Sequence, residues 1–333
     1  METKNNTKKQ KAGILHAGVS DNANEDEQDV LIQLEAVSKA LAELGFDPLS
    51  FVFDFNMEAL DISLKKHNPA FIFNLVEAVN GCGSLIHLAP SFLDFMKLPY
   101  TGSKTEAMFM TSNKLLGKKH LATCGINTAK AYTLDLLKKK AQVEGRYIIK
   151  SVWEHASIGM GQDSVVSATS ASELISKLEI FREHNNGECF CEEYIKGREF
   201  NISMLSGPMG VDVLPPAEII FKNYPDNKYK IVDYNAKWKT DSFEYLHTNR
   251  TFNFGHEDTD ILKSMKRIAR ECWDLFGLKG YARVDFRVDE SNRPWVLEIN
   301  ANPCLSPDGG FVAASGFTGL GYTDIVKRII EDI

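Results

Sequence analysis

Two short stretches decide the fold: Tyr281-Ala-Arg-Val-Asp-Phe-Arg-Val288 and Pro294-Trp-Val-Leu-Glu-Ile-Asn300. Both alternate with the period of a strand. Val284, Phe286 and Val288 share one side of the first, and Arg283 and Asp285 share the other. In the second, Trp295, Leu297 and Ile299 alternate with Glu298 and Asn300. Between them Asp289-Glu-Ser-Asn-Arg293 reads as a turn. A hairpin with Ser291-Asn292 at its tip sets Asp285 opposite Glu298 and Arg283 opposite Asn300. Two carboxylates facing each other across strands repel, which makes sense around a hard cation held by one or two carboxylates plus substrate phosphates. A solvated sheet face is the plain alternative, and alternation alone does not choose.

Outward from the hairpin, residues 189–194, 199–205 and 217–221 read as further strands. A helix over 258–276 carries Ile261, Met265, Ile268, Cys272 and Leu275 on one side. The segment from Asp233 to Gly255 is long for a structureless connection, as lids and binding loops often are. Upstream, strands are expected at 131–134 and 147–150. The small-residue run His155-Ala-Ser-Ile-Gly-Met-Gly161 follows. Ser170 with Glu173 makes a capping box before a helix ending near Asn185, and Ser103 with Glu106 makes another, starting a helix at Lys104. At the N-terminus come a strand at 12–17, an acidic loop from Asp21 to Asp29, and a helix carrying Val30, Leu34, Val37, Leu41 and Leu44 with Gly45 as its stop. Strands at 48–53 and 70–75 complete a β-α-β-α-β unit with a parallel sheet. The expected organisation is a disordered tail (1–10), an N-terminal α/β domain (11–103), a central α+β subdomain (104–187) and a mostly antiparallel C-terminal subdomain (188–333).

The 333 residues are 44% apolar and 25% charged, with net charge −7, which suits a soluble globular protein and gives no electrostatic reason to bind nucleic acid or anionic membrane. No run reaches the roughly 20 apolar residues of a membrane span, and the lysine-rich start lacks the apolar core of a secretory signal. The six cysteines make no C-x-x-C pair; Cys189 and Cys191, spaced to share a strand face, read as buried thiols in a reducing, cytoplasmic setting.

Several landmarks stand in a fixed order: Leu98-Pro-Tyr-Thr-Gly-Ser103, Asn113-Lys-Leu115, Ile148-Ile-Lys150, Glu154-His-Ala-Ser-Ile-Gly-Met160, Glu192-Glu-Tyr-Ile195, Gly197-Arg-Glu-Phe200, Ala236-Lys-Trp238, Ala282-Arg-Val-Asp285 and Leu297-Glu-Ile-Asn-Ala-Asn-Pro303. In that order the chain resembles the ATP-grasp superfamily, in particular its D-alanine–D-alanine ligase branch. The resemblance covers about residues 98–330 and implies the ATP-grasp fold and a ligase that uses ATP to join a carboxylate to an amine through an acylphosphate. It further implies two Mg²⁺ ions on Asp285, Glu298 and Asn300, with Mn²⁺ an acceptable substitute. Lys114 and Lys150 would meet the nucleotide phosphates, Glu192, Glu193, Tyr194 and Ile195 the adenine, and Glu199 the ribose. The loop with Ser157 would fold over the phosphates, Lys237 would cap the closed site, and Arg283 would stabilise the tetrahedral oxyanion. The relatives resembled are commonly dimers.

The pattern departs where the substrates would bind. Cys304 replaces a glycine of the ligases resembled, Gly309 falls where a serine usually stands, and Trp238 replaces a tyrosine. Ser306-Pro307 reads as a helix start, with Asp308 placed to meet an ammonium group. Asp29, Asn74 and Glu77 are further candidates for the substrate pocket. The expected substrates are therefore an amino acid or small peptide other than two D-alanines. The alternatives are a genuine D-alanine–D-alanine ligase and an ATP-binding protein that has lost ligation or only phosphorylates a carboxylate.

Overall fold

The computed structural model of the chain describes residues 9–19, 24–140, 142–154, 156–185 and 187–333. The polar tail up to residue 8, Asp21 and His155 lie outside the described residues.

Three sheets organise it. β1 (Lys11–Ala17), β2 (Asp47–Phe53) and β3 (Phe71–Asn74) form a parallel sheet in the order β2-β1-β3. The helix packed on it spans Glu25–Glu43. Half of the expected acidic loop is thus the first turns of this helix, where carboxylates meet the positive end of the helix dipole. Glu27 Oε2 accepts from the Asn24 N–H at 3.0 Å and fixes the start.

The second sheet comprises β4 (Ala131–Tyr132), β5 (Gly145–Ser151), β6 (Val165–Ala168) and β7 (Cys189–Glu193), antiparallel in the order β4-β7-β5-β6. β7 was expected in the C-terminal unit. It pairs here instead because Cys191 belongs to the core of Tyr132, Tyr147, Ile149 and Leu174, with Cys189 packed against the same cluster. Ser170 Oγ caps the helix Ala171–Asn185 by accepting from Glu173 N at 3.2 Å, as its sequence announced.

The third sheet contains β8 (Gly197–Gly207), β9 (Gly210–Val213), β10 (Ala217–Phe221), β11 (Thr248–Thr251), β12 (Tyr281–Asp289) and β13 (Pro294–Asn300). Its order is β11-β10-β8-β12-β13, with β9 beside β8, and all its pairs are antiparallel. Phe200, Ile202, Val284, Phe286 and Val288 point to one face, against Met265, Ala269 and Cys272 of the helix Thr259–Leu275. Ala107, Met108 and Leu121 join that core, so the helices Thr105–Ser112 and Lys114–Thr123 pack on the third sheet rather than the second. The capping box at Ser103 does not form: Ser103 Oγ accepts from Lys279 N at 3.1 Å, and Lys104 is the N-cap without a side-chain bond. A second core joins Ala12, Ile14, Val37 and Leu41 to Leu205, Tyr281, Phe311 and Ile325, tying the parallel sheet to the third one.

The hairpin register holds: Asp285 faces Glu298 and Arg283 faces Asn300. A bulge between Asp285 and Phe286 then sets Phe286 opposite Val296. Beyond it the alternation shifts: Ile299 enters the core as expected, and Val296 joins it in place of the expected Trp295 and Leu297. Trp295 Nε1 donates to Asp289 Oδ2 at 3.0 Å, and Leu297 turns toward the cleft. The segment 233–255 is not structureless. It holds the short helices Tyr234–Trp238 and Phe243–His247, each with its own cap (Asp233, Ser242), and β11. Among the described residues no helix is long and apolar enough to cross a membrane.

Gly197 opens β8 where a Cβ would stand 1.9 Å from Val288 O. Gly197→Ala is expected to destabilise the protein by about 2–4 kcal/mol, because backbone rather than a side-chain tip must move. Denaturant melts of the two proteins check this, and equal midpoints would refute it.

Candidate active site

The polar face of the third sheet is a grid built by strand geometry. Arg283, Asp285 and Arg287 alternate along β12; Ser203, Asn201 and Glu199 lie opposite them on β8. On the other side, β13 sets Asn300 and Glu298 beside Arg283 and Asp285. This face looks across a cleft of about 1350 Å³ toward the second sheet, with the helix Glu25–Glu43 and residues 77–83 closing one end. The cleft brings together Asp29, Glu77, Lys114, Lys150, Ser157, Glu192, Glu193, Tyr194, Ile195, Glu199, Lys237, Trp238, Arg283, Asp285, Glu298, Asn300, Ser306, Asp308 and Gly309. Of the residues expected in the site only Asn74 is absent. It is buried, its Oδ1 accepts from Val76 N at 3.2 Å, and its N–H donates to Thr101 Oγ1.

Asp285 is held by neighbours on its own sheet. Arg283 Nε and Nη2 bind its two oxygens at 2.7 and 2.9 Å, and Asn201 Nδ2 donates to Oδ1 at 2.7 Å. Burial disfavours the charge on Arg283, but Asp285 more than offsets it and its pKa is raised. Glu199 pairs with Arg287 Nη2 at 2.8 Å; burial still pushes the Glu199 pKa up against that guanidinium. Arg287 was missed in the sequence, although it continues the alternation of Arg283 and Asp285.

The lysines carry the opposite charge. Lys150 Nζ lies 2.7 Å from Glu192 Oε1, and Lys118 binds Glu192 Oε2. Burial opposes the charge on Lys150, but Glu192 and Glu298 outweigh it and raise its pKa. Burial likewise works against Glu192, and the two lysines reverse the effect and lower its pKa. Glu192 was expected at adenine; its carboxylate serves first as the counter-charge of two lysines. Lys114 and Lys237 have lowered pKa values because burial outweighs Glu298 and the other carboxylates near them. Lys118 was also missed, though it stands one helical turn after Lys114.

The loop over the cleft is fixed by its own residues. Ser157 Oγ donates to Val232 O at 2.8 Å, and Trp238 Nε1 donates to Ala156 O at 3.0 Å. Ala156, Ser157 and Gly159 all have positive φ, a tight path favoured by small residues. At one end Ile148, Met160, Tyr194, Ile231 and Leu297 supply an apolar lining. The Glu193 and Tyr194 N–H groups are committed to Lys130 O and Arg146 O. At the other end, Ser306 does not begin a helix: its hydroxyl donates to Asp29 Oδ1 at 2.5 Å, Cys304 Sγ lies 3.0 Å from Asp29 Oδ2, and Gly309 caps the helix Gly310–Gly316. Gln33, unremarked in the sequence, donates to Asp29 and Glu77 at 3.1 and 2.9 Å.

The family described as "D-ala D-ala ligase C-terminus" matches residues 128–331. The chain is 27% identical to the D-alanine–D-alanine ligase of Carboxydothermus hydrogenoformans, covering 96% of this chain and 97% of that one. It is 28% identical to that of Pseudoalteromonas translucida, covering 99% of each. Among solved structures, D-alanyl-alanine synthetase A from Vibrio cholerae superposes with TM-score 0.75 at 14% identity, over 97% of this chain and 98% of that one. A Bacillus anthracis D-alanine–D-alanine ligase gives 0.72 at 22%, over 97% of each. Fold and site define an ATP-dependent carbon–nitrogen ligase of the ATP-grasp fold. More narrowly, the chain belongs to the D-alanine–D-alanine ligase family.

Proposed function

We propose that this protein activates the carboxylate of an amino acid or small peptide as an acylphosphate and joins it to an amine, releasing ADP and phosphate. The supporting observation is the convergence of Lys114, Lys150, Lys237 and Arg283 with Asp285, Glu298 and Asn300 on one cleft. The apolar lining of Ile148, Tyr194, Ile231 and Leu297 suits a purine base, and Glu199 lies on the same face for a ribose hydroxyl. Among the described residues no three His, Cys, Asp or Glu side chains form an all-protein metal cage. Two opposed carboxylates and an amide fit Mg²⁺, which usually takes its remaining ligands from phosphates and water. When bound, Mg²⁺ would screen the phosphate charge and orient the γ-phosphoryl group.

The chain's own groups do the rest. Lys114 and Lys150 bind phosphate oxygens; burial strips hydration from the Lys114 ammonium, and a phosphate charge would offset that cost. Lys237, on the short helix over the cleft, adds a third cation, and Trp238 holds the loop down so that water does not reach the acylphosphate. Asp29 and Glu77 take the ammonium group of a substrate. Arg283 turns from Asp285 toward the oxyanion as the amine attacks. The setting we propose is cytoplasmic, in keeping with six unpaired cysteines.

The substrate pair we propose is other than two D-alanines, because Cys304, Ser306, Gln33 and Asp29 form a bonded wall at that end of the cleft. Mg²⁺-dependent ADP release with D-alanine as sole substrate, followed by product mass analysis, tests both levels. Robust D-alanyl-D-alanine synthesis would overturn the substrate reading and leave the ligase. A panel of amino acids and amines that gives ADP release but no amide would overturn the ligase reading in favour of a carboxylate kinase.

A further inference from the structure

We propose that Lys118 is a positioning residue that sets the charge Lys150 presents to the nucleotide phosphates, acting through Glu192. The inference rests on the reading of the cleft as an ATP site. Lys118 does not line the cleft; it stands behind its wall, 5% exposed, on the helix that also carries Lys114. Its ammonium binds Glu192 Oε2 and donates to Thr128 Oγ1 at 2.9 Å, and Thr128 Oγ1 in turn donates to Val296 O at 2.7 Å. Lys118 therefore joins three elements: its own helix, β7 through Glu192, and β13 two residues before Glu298.

The charge count explains why a lysine should be buried there. Glu192 is 1% exposed and has one lysine on each oxygen. With Lys150 alone, the carboxylate would neutralise it, and a phosphate would compete with Glu192 for the same ammonium. With Lys118 satisfying the second oxygen, the trio carries a net single positive charge, and Lys150 is the member that lines the cleft. The neutral-atom alternative, a hydroxyl or amide on Glu192 Oε2, would hold the carboxylate in place without supplying the charge.

Calorimetric titration of the full protein with ATP, ADP and adenosine tests this. Lys118→Met is expected to weaken ATP and ADP about tenfold or more, as removal of a buried charge near a polyanion should, and to leave adenosine within about twofold, since one charge matters little to a neutral ligand. Lys118→Arg should recover most of the ATP affinity. The double variant Lys118→Met with Glu192→Gln removes the pair together and restores the net charge, so it should bind ATP better than Lys118→Met and serves as the test if the single variant does not fold. Equal losses for ATP and adenosine in Lys118→Met, or a double variant that still binds ATP about tenfold or more weaker than wild type while keeping its adenosine affinity, would overturn the proposal. Wild-type protein that fails to bind ATP would overturn the functional reading and this inference with it.

Discussion

Glu298→Gln is expected to lower kcat/KM about a thousandfold, roughly 4 kcal/mol of transition-state stabilisation, while ATP still binds. The two effects separate because Glu298 stands between two kinds of partner. It faces Asp285 directly across the hairpin, so its charge completes the oxygen-rich pair that a divalent cation needs. It is also one of the carboxylates that keep Lys114, Lys150 and Lys237 charged. Removing it leaves Asp285 as the one carboxylate of the pair, already engaged by Arg283 and Asn201. It also leaves the lysines with less competition for phosphate. Turnover should therefore collapse with ATP affinity retained or increased, and the Mg²⁺ concentration for half-maximal rate should rise. Steady-state rates over a Mg²⁺ series, beside ATP titrations, check both arms. Activity within tenfold of wild type at ordinary Mg²⁺ would show that the opposed carboxylates are not the metal site.

The same hairpin shows what was legible in the sequence. Period-two alternation and a short turn gave the pairing of Asp285 with Glu298, because both are properties of a few adjacent residues. The bulge after Asp285 was not legible: it is set by whether Val296 or Leu297 fits the core formed by Met265, Ala269 and Val284. β7 was misassigned for a related reason. Its residues read as a strand, but which sheet it joins depends on Cys191 meeting Tyr132 and Leu174. At the site, the charged residues were legible as residues, and all but Asn74 line the cleft. Their partnerships were not. Glu192 between two lysines, Arg287 on Glu199, and Gln33 joining Asp29 to Glu77 arise from separate elements meeting in space. Even the expected capping box at Ser103 failed because a distant backbone N–H, that of Lys279, had a better use for the hydroxyl.

Glu77→Gln is expected to cost about a hundredfold in kcat/KM at pH 8, in line with loss of a charge-assisted hydrogen bond worth ~2–3 kcal/mol, and to change the shape of the pH profile. Burial raises the Glu77 pKa to about 7. The Gln33 amide opposes this, the Asp29 charge adds to it, and Arg283 and Lys237 oppose it. Those groups arrive from the N-terminal helix, β12 and the short lid helix; Tyr281 and Cys304 are the other titratable neighbours. An ammonium substrate needs the carboxylate form, so wild-type kcat/KM should climb as pH rises through about 7, a limb absent from the glutamine variant. Stability should move the other way. The folded-state pKa lies above the ordinary value of 4.5, so the folded protein holds the extra proton. The stability this contributes is present below 4.5 and is lost as pH rises through about 7. Wild type should therefore lose stability relative to Glu77→Gln over that window. Thermal melts and kcat/KM from pH 5 to 9 supply both readings. A variant that is less active at every pH by the same factor, with melts parallel to wild type, would place Glu77 outside the recognition of the ammonium group. Opposite slopes in rate and stability have a single cause here: the ionised carboxylate is costly to bury in the cleft and is the form that a substrate ammonium stabilises.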